Sequence, residues 1–249
     1  MPGFARTATV AARLDVVEQS PSTNAQLREL AADAPHLTVL LTDSQTAGRG
    51  RLDRSWVTPP GSALAISVLL RDLPADPAAR GWIPLVAGLA MADAVAAQLP
   101  AHEVGVKWPN DVLVDGRKIC GILAEATSDA VIVGSGINTA MTVAELPVPT
   151  ATSFAALGQA ADRDGLVADY IAGLDVWMVA LAAGDAERVR DAVAARCLTI
   201  GQQVRVELPG DGELRGVATG LDADGRLLVG ADGASHAVSA GDVVHVRAV

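Results

Sequence analysis

EVGVKWPNDVLVDGRKICGILAE, Glu103 to Glu125, organises the reading of this chain. Its Val, Ile and Leu residues fall in apolar runs of strand length. Asp115-Gly116 between two of the runs is a dipeptide suited to the positive φ values of a tight two-residue turn. The segment predicts a β-hairpin, with EVGVKWPNDVLV as one arm and RKICGILAE as the other. Pro109 lacks the amide hydrogen a ladder needs, and Asn110 and Asp111 follow it with polar groups.

Strands and helices extend from this hairpin in both directions. Before it, LDVVEQ reads as a short strand and SPSTNAQLREL as a helix start, with Ser22, Thr23 and Asn24 able to cap free amides. HLTVLLTDSQ is a second strand. TAGRGRLDRSWVTPPG is a loop, SALAISVLL a strong apolar strand, and Gly81 to Leu99 carries apolar residues at helical spacing. After the hairpin, AVIVGSGIN reads as a strand ending in a Gly-rich turn. Asp162 to Arg196 is helical with a break at Gly184-Asp185. From Ile200 the pattern changes to short alternating strands between turn signals, which predicts a small all-β barrel. The expected organisation is α+β: residues 1–199 form a sheet with helices packed on it, and residues 200–249 form the barrel.

Composition narrows the class. Of 249 residues 50% are hydrophobic but only 3% aromatic, so Ala, Val and Leu must fill the core. The formal net charge of −10 argues against a dedicated nucleic-acid binder, which needs a basic face. Cys120 and Cys197 stand far apart, and the four histidines are scattered; neither a disulfide framework nor a metal site is expected. No signal peptide is read at the start, and Gly, Pro and charge are expected to break the apolar stretches before membrane-spanning length. A cytoplasmic protein with no membrane partner is the expectation.

The chemistry concentrates in two places. GRGRLDRSW, Gly48 to Trp56, sets Arg49, Arg51 and Arg54 among glycines. Arginine offers a planar fork of donors for carboxylates and phosphates, Gly48 and Gly50 let the backbone approach an anion, and Trp56 can stack on a purine or cover an apolar ligand. Ordering the stretch from Gln45 to Trp56 costs on the order of 10–25 kcal/mol of backbone entropy. One charged hydrogen bond returns only about 1.5–3 kcal/mol, so a loop that closes on an anionic ligand is expected. The second place is the hairpin. The chain has 19 Lys and Arg residues, and its only lysines are Lys107 and Lys118, one on each predicted arm. Lysine supplies a compact charge that can follow a moving oxygen, as phosphoryl or acyl activation requires. KWPND offers Asn110 and Asp111 to a nucleotide or a metal-bound phosphate; a simple turn is the plain alternative. GSGIN, Gly134 to Asn138, lacks the helix and spacing of a dinucleotide fingerprint, and a turn is its plainer reading.

Taken in order, STN (Ser22–Asn24), QTAGRGRLDRSW (Gln45–Trp56), KWPND (Lys107–Asp111), RKICGILAE (Arg117–Glu125) and GSGIN resemble the biotin protein ligase family. The resemblance covers nearly the whole chain and is most specific in the GRGR-x-x-R-x-W and KWPND pair. It implies a central mixed sheet with helices on one side, related to class II synthetases, followed by an SH3-like barrel. The implied activity is a ligase that activates biotin with Mg-ATP to biotinyl-5'-AMP and passes biotin to a lysine of the biotin carboxyl carrier protein of a carboxylase. By motif, Ser22, Thr23, Asn24 and Gln45 line the biotin pocket, with Gly48, Arg49, Gly50 and Arg51 in the closing loop. Gly121 and Gly136 allow close approach to biotin. Lys118 and Arg51 are the implied catalytic pair. Arg54, Trp56, Lys107, Asn110, Asp111, Asn138 and Arg247, together with Arg51, face ATP. Mg2+ travels with the nucleotide and no protein metal site is implied.

Three positions depart from the family's pattern: Asp53 where Gly is common, Ser135 where an apolar residue is common, and Cys120 before Gly121. Only 21 residues precede Ser22, so the form without an N-terminal DNA-binding domain is expected, as a monomer or homodimer that binds no nucleic acid. The alternatives are a lipoate or octanoate ligase, which shares the catalytic fold, and a non-catalytic biotin- or nucleotide-binding regulator.

Overall fold

β5 (Ala63–Leu70) is buried along its whole length, which places it at the centre of the molecule. In the computed structural model, which describes residues 3–51, 54–208, 212–239 and 242–245, β5 belongs to a seven-stranded sheet. The other strands of this sheet are β1 (Arg13–Val16), β2 (Thr38–Thr42), β6 (Val104–Lys107), β7 (Asp111–Val114), β8 (Arg117–Ala126) and β9 (Val131–Asn138), in the order β1-β2-β5-β9-β8-β7-β6. β1 and β2 run parallel and every other neighbouring pair antiparallel, so the sheet is mixed as expected.

Side chains alternate across a strand, so each strand sends one set of residues to each face. On one face Leu64, Ile66, Val68 and Leu70 of β5 and Val131, Val133 and Ile137 of β9 join the main core. There they meet α3 (Ile83–Gln98), α4 (Arg163–Ala182) and α5 (Ala186–Arg196). On the other face Leu69 and Ile132 form a small second core with Leu27 and Ala31, from α2 (Thr23–Leu30) and its C-cap. The long helices therefore lie on one side, as the resemblance implies, but α2 packs on the opposite side.

Two helical segments, Pro77–Gln98 and Arg163–Ala182, are long and apolar enough to cross a membrane, with mean hydropathies of 1.3 and 1.5. This corrects the expectation that every apolar stretch is broken before that length. Most of each segment is buried: a helix sandwiched between a sheet and its neighbours is apolar on nearly every side.

The segment from Glu103 to Glu125 also differs from its reading. KWPND is not the end of a single arm. Trp108, Pro109 and Asn110 form a turn between β6 and β7, which pair Lys107 with Asp111. Asp115 and Gly116, both at positive φ, then turn β7 into β8. The unit is a three-stranded meander, so Lys107 and Lys118 stand two strands apart rather than on facing arms. Likewise GSGIN is the second half of β9, not a turn after it.

β10 (Gln203–Leu208), β11 (Gly212–Leu221), β12 (Leu227–Ala231), β13 (Ala234–Val238) and β14 (Asp242–His245) form an antiparallel sheet in the order β13-β12-β11-β10-β14. This sheet is the expected C-terminal β domain, and among the described residues no pairing between β13 and β14 is recorded. Its apolar residues join the main core. The turn between β11 and β12 is held by two indoles: Trp82 Nε1 donates to Ala223 O at 2.8 Å and Trp108 Nε1 to Gly225 O at 3.0 Å.

Ser135, a departure from the family's pattern, has a structural reason. It lies on the helix-facing side of β9, and its Oγ is 2.9 Å from the hydroxyl of Tyr170, the chain's only tyrosine, which is fully buried on α4. Burial pushes the phenol pKa up, and the Ser135 bond opposes that shift. Ser135→Ala leaves the phenol without this partner and is expected to lower stability by about 1–3 kcal/mol in urea titration. Adding Tyr170→Phe should restore most of the loss. An unchanged midpoint in the single variant would show that the phenol is satisfied elsewhere.

Candidate active site

The face of the sheet that carries α2 has almost no side chains near its middle. Ala65 on β5, Gly134 and Gly136 on β9 and Gly121 on β8 leave a bare floor, and a cavity with about 1150 Å3 of empty space, part of it open to solvent, lies over it. The glycines are needed for room. A Cβ at Gly134 would stand 2.4 Å from Asn24 Oδ1, and one at Gly136 would stand 2.7 Å from the Trp56 ring. Gly136, expected to admit a ligand, thus makes space for the tryptophan that roofs the cavity.

One end wall is the start of α2. Ser22 is the N-cap, its Oγ accepting from Ala25 N at 3.3 Å, as the sequence predicts. That bond turns Thr23 and Asn24 inward. Gln45 Oε1 accepts from Thr23 N at 2.8 Å and lies 3.1 Å from Thr23 Oγ1. Asn24 Nδ2 donates to Glu125 Oε2 at 2.7 Å, and Arg28 NH2 donates to Glu125 Oε1 at 3.1 Å.

The other end is built by β7, β8 and the arginine loop. Lys118 Nζ is 2.5 Å from Asp111 Oδ1. Lys118 and Gly121 are three residues apart, a spacing that puts side chains of a regular strand on opposite faces. A β-bulge reconciles them: Val112 pairs with Cys120 and Leu113 with Lys118, leaving Ile119 as the extra residue. Ile119 and Cys120 both enter the core, and Lys118 returns to the cavity face, where a Cβ on Gly121 would meet its Nζ at 2.9 Å. Burial pushes the Cys120 thiol pKa far up, so this departure is a core packing residue rather than a nucleophile.

The described part of the loop is a two-stranded ribbon, β3 (Gly48–Arg49) with β4 (Ser55–Trp56), and Gly50 N donates to Arg54 O at 2.6 Å. Gly48 has no room for a Cβ between Gln45 Nε2 and Trp56 O. Arg51 reaches across the cavity to donate to Asn110 Oδ1 at 3.0 Å. Asn110 is itself fixed by Nδ2 donating to Ile122 O at 2.7 Å.

Of the residues singled out in the sequence, Ser22, Thr23, Asn24, Gln45, Arg49, Gly50, Arg51, Arg54, Trp56, Asn110, Asp111, Lys118, Gly121 and Gly136 all line this cavity. Gly48 supports the ribbon. Lys107 is outside the lining, on β6, and buried Asn138 donates to Thr152 O at 2.9 Å, likewise outside it. Arg247 and Asp53 lie outside the described residues. The sequence reading missed Arg28 and Glu125 as site residues. Both were within reach of pattern: Arg28 is one helical turn beyond Asn24, and Glu125 is on the same strand face as Gly121. Among the described residues no group of three or more His, Cys, Asp or Glu side chains is placed to hold a metal ion.

A basic arm over one end of a cavity and a polar pocket at the other define a site for an elongated ligand with an anionic head. Residues 15–138 match the Biotin/lipoate A/B protein ligase family and residues 199–246 the Biotin protein ligase C terminal domain. The chain is 42% identical to the biotin–[acetyl-CoA-carboxylase] ligase of Mycobacterium tuberculosis over 94% of its own length and 90% of that protein's. It is 34% identical to the bifunctional ligase/repressor of Escherichia coli, covering 85% of this chain and 67% of that one. The structure of the Aquifex aeolicus biotin protein ligase in complex with biotin and ATP superposes with a TM-score of 0.80 at 26% identity, over 95% of this chain and 100% of that one. The chain belongs to the biotin protein ligase family.

Proposed function

We propose that this chain is an ATP-dependent biotin–[acetyl-CoA-carboxylase] ligase that works in two steps in the one cavity. In the first, a carboxylate oxygen of biotin attacks the α-phosphorus of ATP and pyrophosphate leaves, giving biotinyl-5'-AMP. In the second, the ε-amine of a lysine on the acceptor domain attacks the acyl carbon and AMP leaves. The acceptor is the biotin carboxyl carrier protein of a carboxylase.

The observation that carries this reading is the polarity of the cavity along its length. Thr23, Asn24 and Gln45 at one end suit a ring with hydrogen-bonding edges. Arg51, Asn110, Asp111 and Lys118 at the other suit a carboxylate meeting a phosphate. In this reading Lys118, which meets Asp111 at that end, follows the charge from the carboxylate to the bridging oxygen of the anhydride. A lipoate ligase needs an apolar pocket for a dithiolane ring, where this chain places amides and hydroxyls. Mg2+ enters with the triphosphate. A single carboxylate at that end, Asp111, suits a cation carried by the nucleotide, and the ion neutralises charge on the phosphate oxygens. Two further assignments belong to the proposal: the boundary between residues 199 and 200, and a reducing cytoplasm, which the two free, buried cysteines suit.

Biotin-dependent ATP–pyrophosphate exchange, run beside lipoate, tests it. Exchange with biotin alone is expected. Exchange with lipoate alone moves the chain to the lipoate branch, and silence with both in a folded sample favours a binding protein without turnover.

A further inference from the structure

Arg163, the first residue of α4, reaches the base of the arginine loop and ties its two stems together. One stem starts at Asp43, just after β2, and the other ends at Gly61, shortly before β5. Backbone bonds fix the first stem: Ser20 N donates to Ser44 O at 3.1 Å, Thr46 N to Ser20 O at 3.1 Å and Ala47 N to Pro21 O at 2.8 Å. The second stem meets the first at Gly61, whose N donates to Asp43 O at 2.8 Å. Arg163 completes the junction with its fork: NH1 donates to Asp43 Oδ2 at 3.3 Å and NH2 to Gly61 O. The Arg163 and Asp43 side chains are only 23% and 19% exposed, so salt and water screen the pair little. From Gly61 the chain runs back through Pro60 and Pro59 to Trp56, whose ring roofs the cavity. Two prolines of fixed φ stiffen this arm, and Ser62 Oγ braces it by donating to Pro59 O at 2.6 Å. Arg163, Asp43 and Gly61 all lie outside the cavity lining.

We propose that Arg163 is a positioning residue: by locking the second stem to the first, it sets Trp56 against the glycine floor and so retains the adenylate. Ring and floor are close, since a Cβ added at Gly136 would stand 2.7 Å from the indole, and a shift of the arm changes that spacing directly. Arg51 ties the ribbon to Asn110 across the cavity and Arg163 ties its base, so the ribbon is held at both ends. Lys118, on β8, belongs to a different element from either stem. Loss of the fork therefore acts on how long the adenylate stays and not on how fast it forms. The inference rests on the reading of this cavity as the site where the adenylate is made.

The test is the dissociation rate of labelled biotinyl-5'-AMP, formed on the protein from biotin and ATP and then chased with excess unlabelled adenylate. Arg163→Met keeps the length of the side chain without its fork. It should speed dissociation about tenfold or more, while pyrophosphate exchange at saturating substrates stays within about threefold. The rate is a property of each folded molecule, so a substitution that only lowers folding stability leaves it unchanged. Asp43→Ala removes one partner of the fork and should raise the rate about threefold or more, which keeps the proposal testable if Arg163→Met does not fold. In a Trp56→Ala background, Arg163→Met should add less than about twofold, because both substitutions act through the same ring. An unchanged rate in folded Arg163→Met or in Asp43→Ala, or a full effect that persists without the indole, would overturn the proposal. No adenylate formed by the unmodified protein would instead overturn the reading of the site, and the proposal with it.

Discussion

Replacing Lys118 with Ala is expected to lower biotin-dependent pyrophosphate exchange by about 10²–10³-fold, the usual cost of removing one donor aimed at developing charge. The cavity explains the size of the effect. Lys118 Nζ stands against Asp111 Oδ1, at the end where Arg51 reaches Asn110, which in the proposed reaction is the end where carboxylate and phosphate meet. The bulge at Ile119 fixes its direction, and the bare Gly121 keeps its path clear. Because the side chain is about half exposed, the variant should keep its stability to within about 0.5 kcal/mol in urea. Lys118→Arg should recover little, since a guanidinium fork does not follow one moving oxygen as an ammonium does. An unchanged exchange rate in Lys118→Ala would remove Lys118 from the chemistry, and a large fall in stability would move its role to the fold.

Arg51→Gly is expected to act on the intermediate rather than on its formation. Arg51 straps the β3–β4 ribbon across the cavity by its bond to Asn110. A charged hydrogen bond of this kind contributes about 1.5–3 kcal/mol, which corresponds to about 10–100-fold in release rate. Glycine also loosens the ribbon backbone. The adenylate should therefore escape into solution and acylate lysines on unrelated proteins, read by streptavidin blotting of a mixture that lacks the carrier. Tight retention of labelled adenylate by the variant would contradict the strap.

How much of this was legible beforehand follows from the range of the interactions involved. The Asp115-Gly116 turn, the Ser22 cap, the helix break at Gly184-Asp185 and the change to short strands after Ile200 are local features, encoded by adjacent residues. The residue types of the site were legible too, because arginine among glycines and two lysines in a lysine-poor chain are visible without coordinates. For KWPND the simple-turn alternative is the one realised, and the single hairpin arm is not, because its apolar flanks read equally well as one long strand or two short ones. GSGIN was misjudged because glycines that look like a turn are, inside β9, positions cleared for Asn24 and Trp56.

By itself the sequence determined the mixed α and β content, the family resemblance and the order of the elements apart from the division of the Glu103–Val114 arm into β6 and β7, since each rests on neighbouring residues and on composition. Only the tertiary structure decided which side chains share the cavity. A bulge reverses the facing of every residue beyond it, and so brings Lys118 beside Gly121. A sheet order in which β5 lies between β2 and β9 sets Ser67 behind Asn24, 43 positions away in the chain. Neither placement has a local signature, because the pairing of distant strands is fixed by the packing of both faces at once.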